Sequence, residues 1–321
     1  MRLLAIAAAL LLVSLPAAGA DSGVTRAQQQ FEAGRFSEAI NTLLDAARTT
    51  PDDAAVYFWL GRCYFELRNY RDATAQNEHA VKLAPNNSQF LLWLARAYGR
   101  QAENHHSFWL AIRSRNALEE AIQADPNNIP ARRDLAEFYS EAPWIVGGNK
   151  RKAREQIAAI AAIDPLQGGL AQAEYDRKNG DPGGAETELR RVLEAKPVRV
   201  DEYYEVADYF ASRGNAAMVQ QAVDGASAVT PSDPRLAYYR GVILAIEGQR
   251  LPDAESYLKA YLAATADRSD FPPHANARTW LGQVYEKMGN RLEAAEQYRA
   301  ALAIDPGSEF AKQSLKHLER Q

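Results

Sequence analysis

From about residue 25 onward, apolar and small side chains recur at intervals of three and four, in stretches separated by short turns rich in Gly, Pro, Asn and Asp. That period predicts amphipathic helices joined as hairpins, and no stretch carries the two-residue alternation of a strand. The clearest unit runs from Tyr57 to Pro85. Its first helix carries Tyr57, Leu60, Gly61 and Tyr64, and its second carries Ala73 and Ala80. Gly61 and Ala73 lack bulk, so two helices can approach closely there, with Tyr64 filling the groove at the crossing. On this reading Tyr64→Ala costs about 3–5 kcal/mol through the cavity it leaves.

These residues resemble the tetratricopeptide repeat, a helix-turn-helix unit of about 34 residues with the pattern W-x2-L-G-x2-Y…A-x3-F…P. Leu60, Gly61, Tyr64 and Pro85 match, while Tyr57 stands for the Trp and Asn77 for the second-helix aromatic. The resemblance implies an all-α, right-handed superhelix, an α-solenoid of about eight repeats plus a closing helix. Its strongest repeats lie near 54–87 and 275–308, the latter through Leu281, Gly282, Tyr285, Ala294, Tyr298 and Pro306.

The other units vary the theme. The first, from Thr25 to Pro51, has Ala27 and Gln30 where Gly and Tyr are expected, as suits a terminal repeat with one wet face. The third spaces its helices further apart across 101–110, a segment without Gly or Pro, so each helix is expected to gain about one turn. The fourth expands at 141–150, where Pro143 stops a helix, Gly147-Gly148 offer positive φ and Asn149 caps the next helix. This turn resembles a variant found in other bacterial members of the superfamily. The fifth unit is the weakest, with Asp176 in the aromatic place, and is where a change of direction or a flexible point is expected. A longer linker follows the seventh unit, through Asp267 to Pro273, and Ser308 opens a last helix with Phe310, Leu315 and Leu318 on one face.

The start of the chain reads differently. Arg2, an apolar run from Leu3 to Leu15, and Ala18-Gly19-Ala20 have the form of a secretory signal peptide over 1–20, leaving a repeat domain over 21–321. The run is shorter than the roughly 20 residues of a spanning helix, and Pro16 ends it. An exported protein is expected, periplasmic or secreted, without stable membrane insertion after cleavage. Removing Arg2 from the count leaves 36 basic and 41 acidic residues, a net of −5. That balance argues against nucleic acid or an anionic membrane as a general partner. Cys63, the lone cysteine, excludes an internal disulfide and reads as a buried packing thiol, since no base accompanies it.

No motif for catalysis emerges. His105-His106 point about 100° apart on a helix and do not suit one metal ion. The glycine turns at 147–150 and 180–184 follow no strand and lack phosphate-loop spacing. We therefore expect no cofactor and no metal site. Asn86-Asn87-Ser88 fits a glycosylation sequon, which has meaning only in a eukaryotic secretory pathway.

Binding surfaces are more informative. The resemblance implies a concave groove lined by first helices, which brings Phe58, Arg62 and Phe65 beside Leu92, Arg96, Arg100 and Arg133. Arg62 and Arg96 occupy equivalent positions and should stack in line. Such a row can grip a protein or peptide that is acidic or ends in a free carboxylate, with apolar side chains docking between the guanidinium groups. Glu66, Glu137 and Glu141 offer these Arg an alternative as internal ion pairs. A second candidate is the edge formed by the two expanded turns. There Phe108, Trp109, Trp144 and Ile145 either face a partner or pack on each other. The leading function is an exported, non-enzymatic scaffold for protein or peptide binding, with an accessory role in envelope assembly, secretion or polysaccharide export as an alternative. A small-ligand receptor or an enzyme built in the groove is the alternative of another class.

Overall fold

The protein is described here from a computed structural model covering residues 23–320, so the expected signal segment at 1–20 lies outside the described residues. The described residues form 17 α-helices and one 3-10 turn, with no strand among them. Eight hairpins follow one another. They are α1 (Gly23–Glu32) with α2 (Phe36–Thr49), α3 (Ala54–Glu66) with α4 (Tyr70–Leu83), α5 (Ser88–His105) with α6 (Phe108–Ala124), and α7 (Ile129–Glu141) with α8 (Lys150–Ile163). Then come α9 (Pro165–Lys178) with α10 (Pro182–Glu194), α11 (Val200–Ser212) with α12 (Ala216–Val229), α13 (Arg235–Glu247) with α14 (Leu251–Ala264), and α15 (His274–Lys287) with α16 (Arg291–Ile304). Helix α17 (Glu309–Arg320) closes the stack, burying Ala311 and Leu318 while Lys312, Lys316 and Arg320 stay wet.

Turn chemistry sets the hairpin boundaries. Asp53, Asn87, Asn128 and Asp164 each accept a backbone N–H as N-caps between units. Ser107 does the same inside the third unit, whose helices of 18 and 17 residues exceed the 13 and 14 of the second. The expected extra turn per helix is therefore present. In the fourth unit a 3-10 turn at Trp144–Val146 fills the expansion, and Gly147 follows it at φ 106, where a side chain would be strained. Gly148 does not share that positive φ. It is small because a Cβ there would lie 1.7 Å from the Ala142 carbonyl.

Packing follows the small-beside-large rule with one correction. A Cβ on Gly61 would lie 2.5 Å from the amide of Asn77, so fully buried Asn77, not Tyr64, fills that crossing. Asn77 Nδ2 donates to the Ala73 carbonyl at 2.9 Å, which lets an amide occupy the place of an aromatic ring. Tyr64 itself is half-buried. Its counterparts Tyr98, Tyr139 and Tyr285 are buried, and each donates its hydroxyl to a carboxylate on the preceding unit: Glu78 at 2.5 Å, Glu119 at 2.6 Å and Glu255 at 2.9 Å. The matching place before Tyr64 is Leu44, which is exposed, so that tie cannot form. Cys63 is fully buried, and burial pushes its thiol up to about 12, as a packing residue requires.

The fifth unit is complete as a hairpin. Asp176 accepts from Gln172 at 2.7 Å, and the following unit begins at Arg199 without a side-chain cap.

Candidate binding groove

Arg62 lies on α3 one turn before Glu66, and the neighbouring aromatics decide its environment. Its guanidinium sits 3.6 Å from the Trp93 ring centroid, 5.0 Å from that of Phe31 and 5.6 Å from that of Trp59. Glu66 stands 3.9 Å away. Burial pulls the Arg62 pKa down to about 10, partly offset by Glu66. Arg62 is therefore enclosed in an aromatic cage rather than open to a ligand, which corrects its expected role as a gripping residue. Arg96 does stack in line with it, at 4.8 Å from the same Trp93 ring.

The other candidates divide. Phe58, Phe65 and Leu92 are 6%, 8% and 1% exposed, so the expectation that they line the groove is corrected: they belong to the inter-repeat core. Phe58 stacks on Phe90 at 4.7 Å, and Phe65 meets Trp93 edge-on at 5.2 Å, with Phe65 reaching the groove at its margin. Arg96 pairs with Asp134 through bonds of 2.6 and 3.3 Å. Arg133 forms a fork with Glu205 at 2.7 and 2.6 Å, crossing from α7 to α11 beside Gln167 of α9, which also accepts from it at 3.3 Å. Arg100 touches Glu103 at 2.9 Å and is about half exposed, the most open of the four. Glu66 is the one expected internal carboxylate that faces its Arg. Glu137 and Glu141 both turn to Lys178 instead.

Two cavities meet at the Arg96–Asp134 pair. The larger, about 830 Å³, lies between α5, α6, α7 and the turn after α7, and its wall includes Trp93, Arg96, Arg100, Phe108, Phe138 and Pro143. The smaller, about 430 Å³, continues past Arg133 toward Lys178 and Arg199. The Arg row and the expanded turns thus contribute to one surface. Trp109 and Trp144 are 62% and 85% exposed, with Phe108 and Ile145 equally open, so these side chains do not bury one another. Arg113 covers one face of Trp109 at 4.7 Å.

One part of the groove was missed from sequence. The linker between α14 and α15 reaches back to the first two units. Ser269 donates its backbone N–H and its hydroxyl to Glu66 at 2.8 and 2.7 Å. Arg268 pairs with Glu32 at 2.8 Å and with Asp270 at 2.6 Å. Arg68 donates to the Ile304 carbonyl at 2.8 Å, a second tie between the two ends of the stack. The linker therefore clasps the groove beside Arg62, and Ser269 borders the larger cavity. The alternation Asp267-Arg268-Ser269-Asp270 in an unusually long connection was the available signal.

Among the described residues no group of three or more His, Cys, Asp or Glu side chains converges as a metal site, and no helix is long and apolar enough to cross a membrane. Stacked hairpins around a charged groove define a helical-repeat scaffold. The tetratricopeptide repeat family matches residues 24–87 and 216–269, and a second profile of the same description matches 275–308. The chain belongs to the tetratricopeptide-repeat superfamily. Over 123 residues, 38% of this chain, it is 29% identical to an Hsp70-Hsp90 organizing protein from Triticum aestivum, and the match spans 20% of that relative's length. Among solved structures it is similar to the APC/C hetero-tetramer Cut9-Hcn1, with TM-score 0.51 and 15% identity over 94% of this chain and 56% of that one. A tetratricopeptide repeat protein from Parabacteroides merdae ATCC 43184 aligns with TM-score 0.45 and 15% identity over 93% of this chain and 98% of that one.

Proposed function

We propose that this protein is a non-catalytic scaffold that holds a segment of a partner protein in the larger cavity, and that it works outside the cytoplasm. The carrying observation is that cavity: a space of about 830 Å³ with Arg96 and Arg100 on one wall and Trp93, Phe108 and Phe138 around them. An acidic side chain or a terminal carboxylate would bond first to Arg100, the open cation, and then compete with Asp134 for Arg96. Exchange of one carboxylate for another on Arg96 is nearly even in energy, so Arg96 contributes selectivity more than affinity. The apolar wall supplies the burial that drives binding. Export rests on the pattern of residues 1–20.

The test is charge reversal of the two guanidinium groups on the cavity wall, Arg96 paired with Asp134 and Arg100 paired with Glu103. Arg96→Glu with Arg100→Glu should leave helix content unchanged in circular dichroism and weaken partner capture about 10- to 100-fold, given roughly 1.5–3 kcal/mol per charge-assisted bond. Capture at the wild-type level by the folded double variant would remove the cavity as the binding site.

A further inference from the structure

The acidic net charge of the whole chain conceals a local reversal. Residues 104–118 and 142–154 contain six Lys and Arg and two His, and no Asp or Glu, in a chain that has 41 acidic residues. These two stretches are the expanded turns with the helix starts that follow them. They meet in space: Arg115 Nη1 donates to the Val146 carbonyl at 3.0 Å. Arg113, Arg115 and Arg151 have carboxylate neighbours in Glu78, Glu119 and Glu155. Lys150, Lys152 and Arg154 have none within ion-pair reach among the described residues, and all three are exposed.

Four large apolar side chains stand beside this charge. Trp144 is 85% exposed, and Phe108, Trp109 and Ile145 are each about 60% exposed. The turn that carries Trp144 and Ile145 is held firmly: Val146, the next residue, is 3% exposed, and its carbonyl is the one Arg115 binds. Two outward side chains on a buried anchor lose little freedom on docking. Lys150, Arg151 and Lys152 also occupy the first turn of α8, where the helix dipole is already positive, so they weaken the helix while raising the local potential.

We propose that this edge docks on an anionic phospholipid surface, with Trp144, Ile145 and Trp109, none of which lines the cavity, entering the headgroup region and Lys150, Lys152 and Arg154 meeting lipid phosphates. Trp favours that interfacial depth, and stable peripheral binding needs two signals, an apolar one and a cationic one. Both are present on one edge. Each juxtamembrane cation near an anionic leaflet adds about 1 kcal/mol, about fivefold in affinity. The inference does not depend on what the cavity holds.

Sedimentation with vesicles of equal phosphatidylglycerol and phosphatidylcholine, against pure phosphatidylcholine, tests it with the full chain. The wild type should partition onto the anionic vesicles, less so at high salt, with brominated lipid quenching the tryptophan emission. Trp144→Ser with Ile145→Ser, and separately Lys150→Gln with Lys152→Gln and Arg154→Gln, should each cut the bound fraction at least about tenfold without loss of helix content. The apolar segment at 3–15, where retained, would add the same binding to both vesicle types and in every variant, so the quantity compared is the excess bound to anionic over neutral vesicles. Equal binding to neutral and anionic vesicles, or full binding by both folded variants, would overturn the proposal. So would an edge that binds no vesicle and is covered only by an acidic protein.

Discussion

Arg62→Glu is expected to destabilise the protein by about 3–5 kcal/mol, the cost of leaving an uncompensated charge in a closed site. The guanidinium is 16% exposed, lies against three aromatic rings, and faces Glu66, whose side chain is 2% exposed. Reversal would set two carboxylates together inside the cage and forfeit cation-π attraction of about 2 kcal/mol. The clasp would suffer too, because Glu66 also holds Ser269. Arg96→Glu should cost only about 1–2 kcal/mol, since its side chain and that of Asp134 keep about a third and a quarter of their surface in water. Urea unfolding of the two variants distinguishes them. Equal midpoints would show that Arg62 is not caged, and Arg62 reversal would then become a fair test of binding.

Tyr298→Ala should remove about 3–5 kcal/mol from the last two units. Its ring is fully buried against Gly282, where a Cβ would come within 2.4 Å of it, and its hydroxyl donates to Glu286 at 2.8 Å. Truncation leaves a cavity that two helices cannot close without losing their crossing, and it takes one hydrogen-bond donor from Glu286. Tyr64→Ala, by contrast, should cost about 1–2 kcal/mol, because that ring is only partly buried and has no carboxylate tie to the preceding unit. Units in a solenoid are stabilised mainly by their neighbours, so the damage should stay local. Amide exchange should accelerate across α15, α16 and α17 while α3 to α6 keep their protection. Uniform acceleration along the chain would mean that the stack unfolds as one body.

The hairpins, the lengthened third unit and the closing helix were legible because each depends on contacts within one repeat or with the next. Spacing in the sequence encodes those contacts directly. The face of each first helix was less legible. Phe58 and Phe65 lie one turn either side of Arg62, and the register that sets Arg62 toward the groove also carries its neighbours under the adjoining unit. An apolar side chain at that boundary gains more from burial than from facing water, which is why Phe58 and Leu92 went into the core. Contacts made after the superhelix turns were not legible at all. Arg133 meets Glu205 at a separation of 72 residues and Ser269 meets Glu66 at 203, distances set by the accumulated curvature of every unit between. The two expanded turns were expected on one edge and are there. Their exposure was left open by sequence, and the buried Val146 anchor resolves it.

A partner segment held in the cavity between α5, α6 and α7 lies within crosslinking reach of that cavity's rim. Photoreactive residues placed at Glu103 and Phe138, which border that cavity, and at exposed Gln220 on α12 test it most directly in the native compartment. The same partner should crosslink from 103 and 138, and none from 220. A partner captured from 220 alone, with 103 and 138 silent, would contradict it.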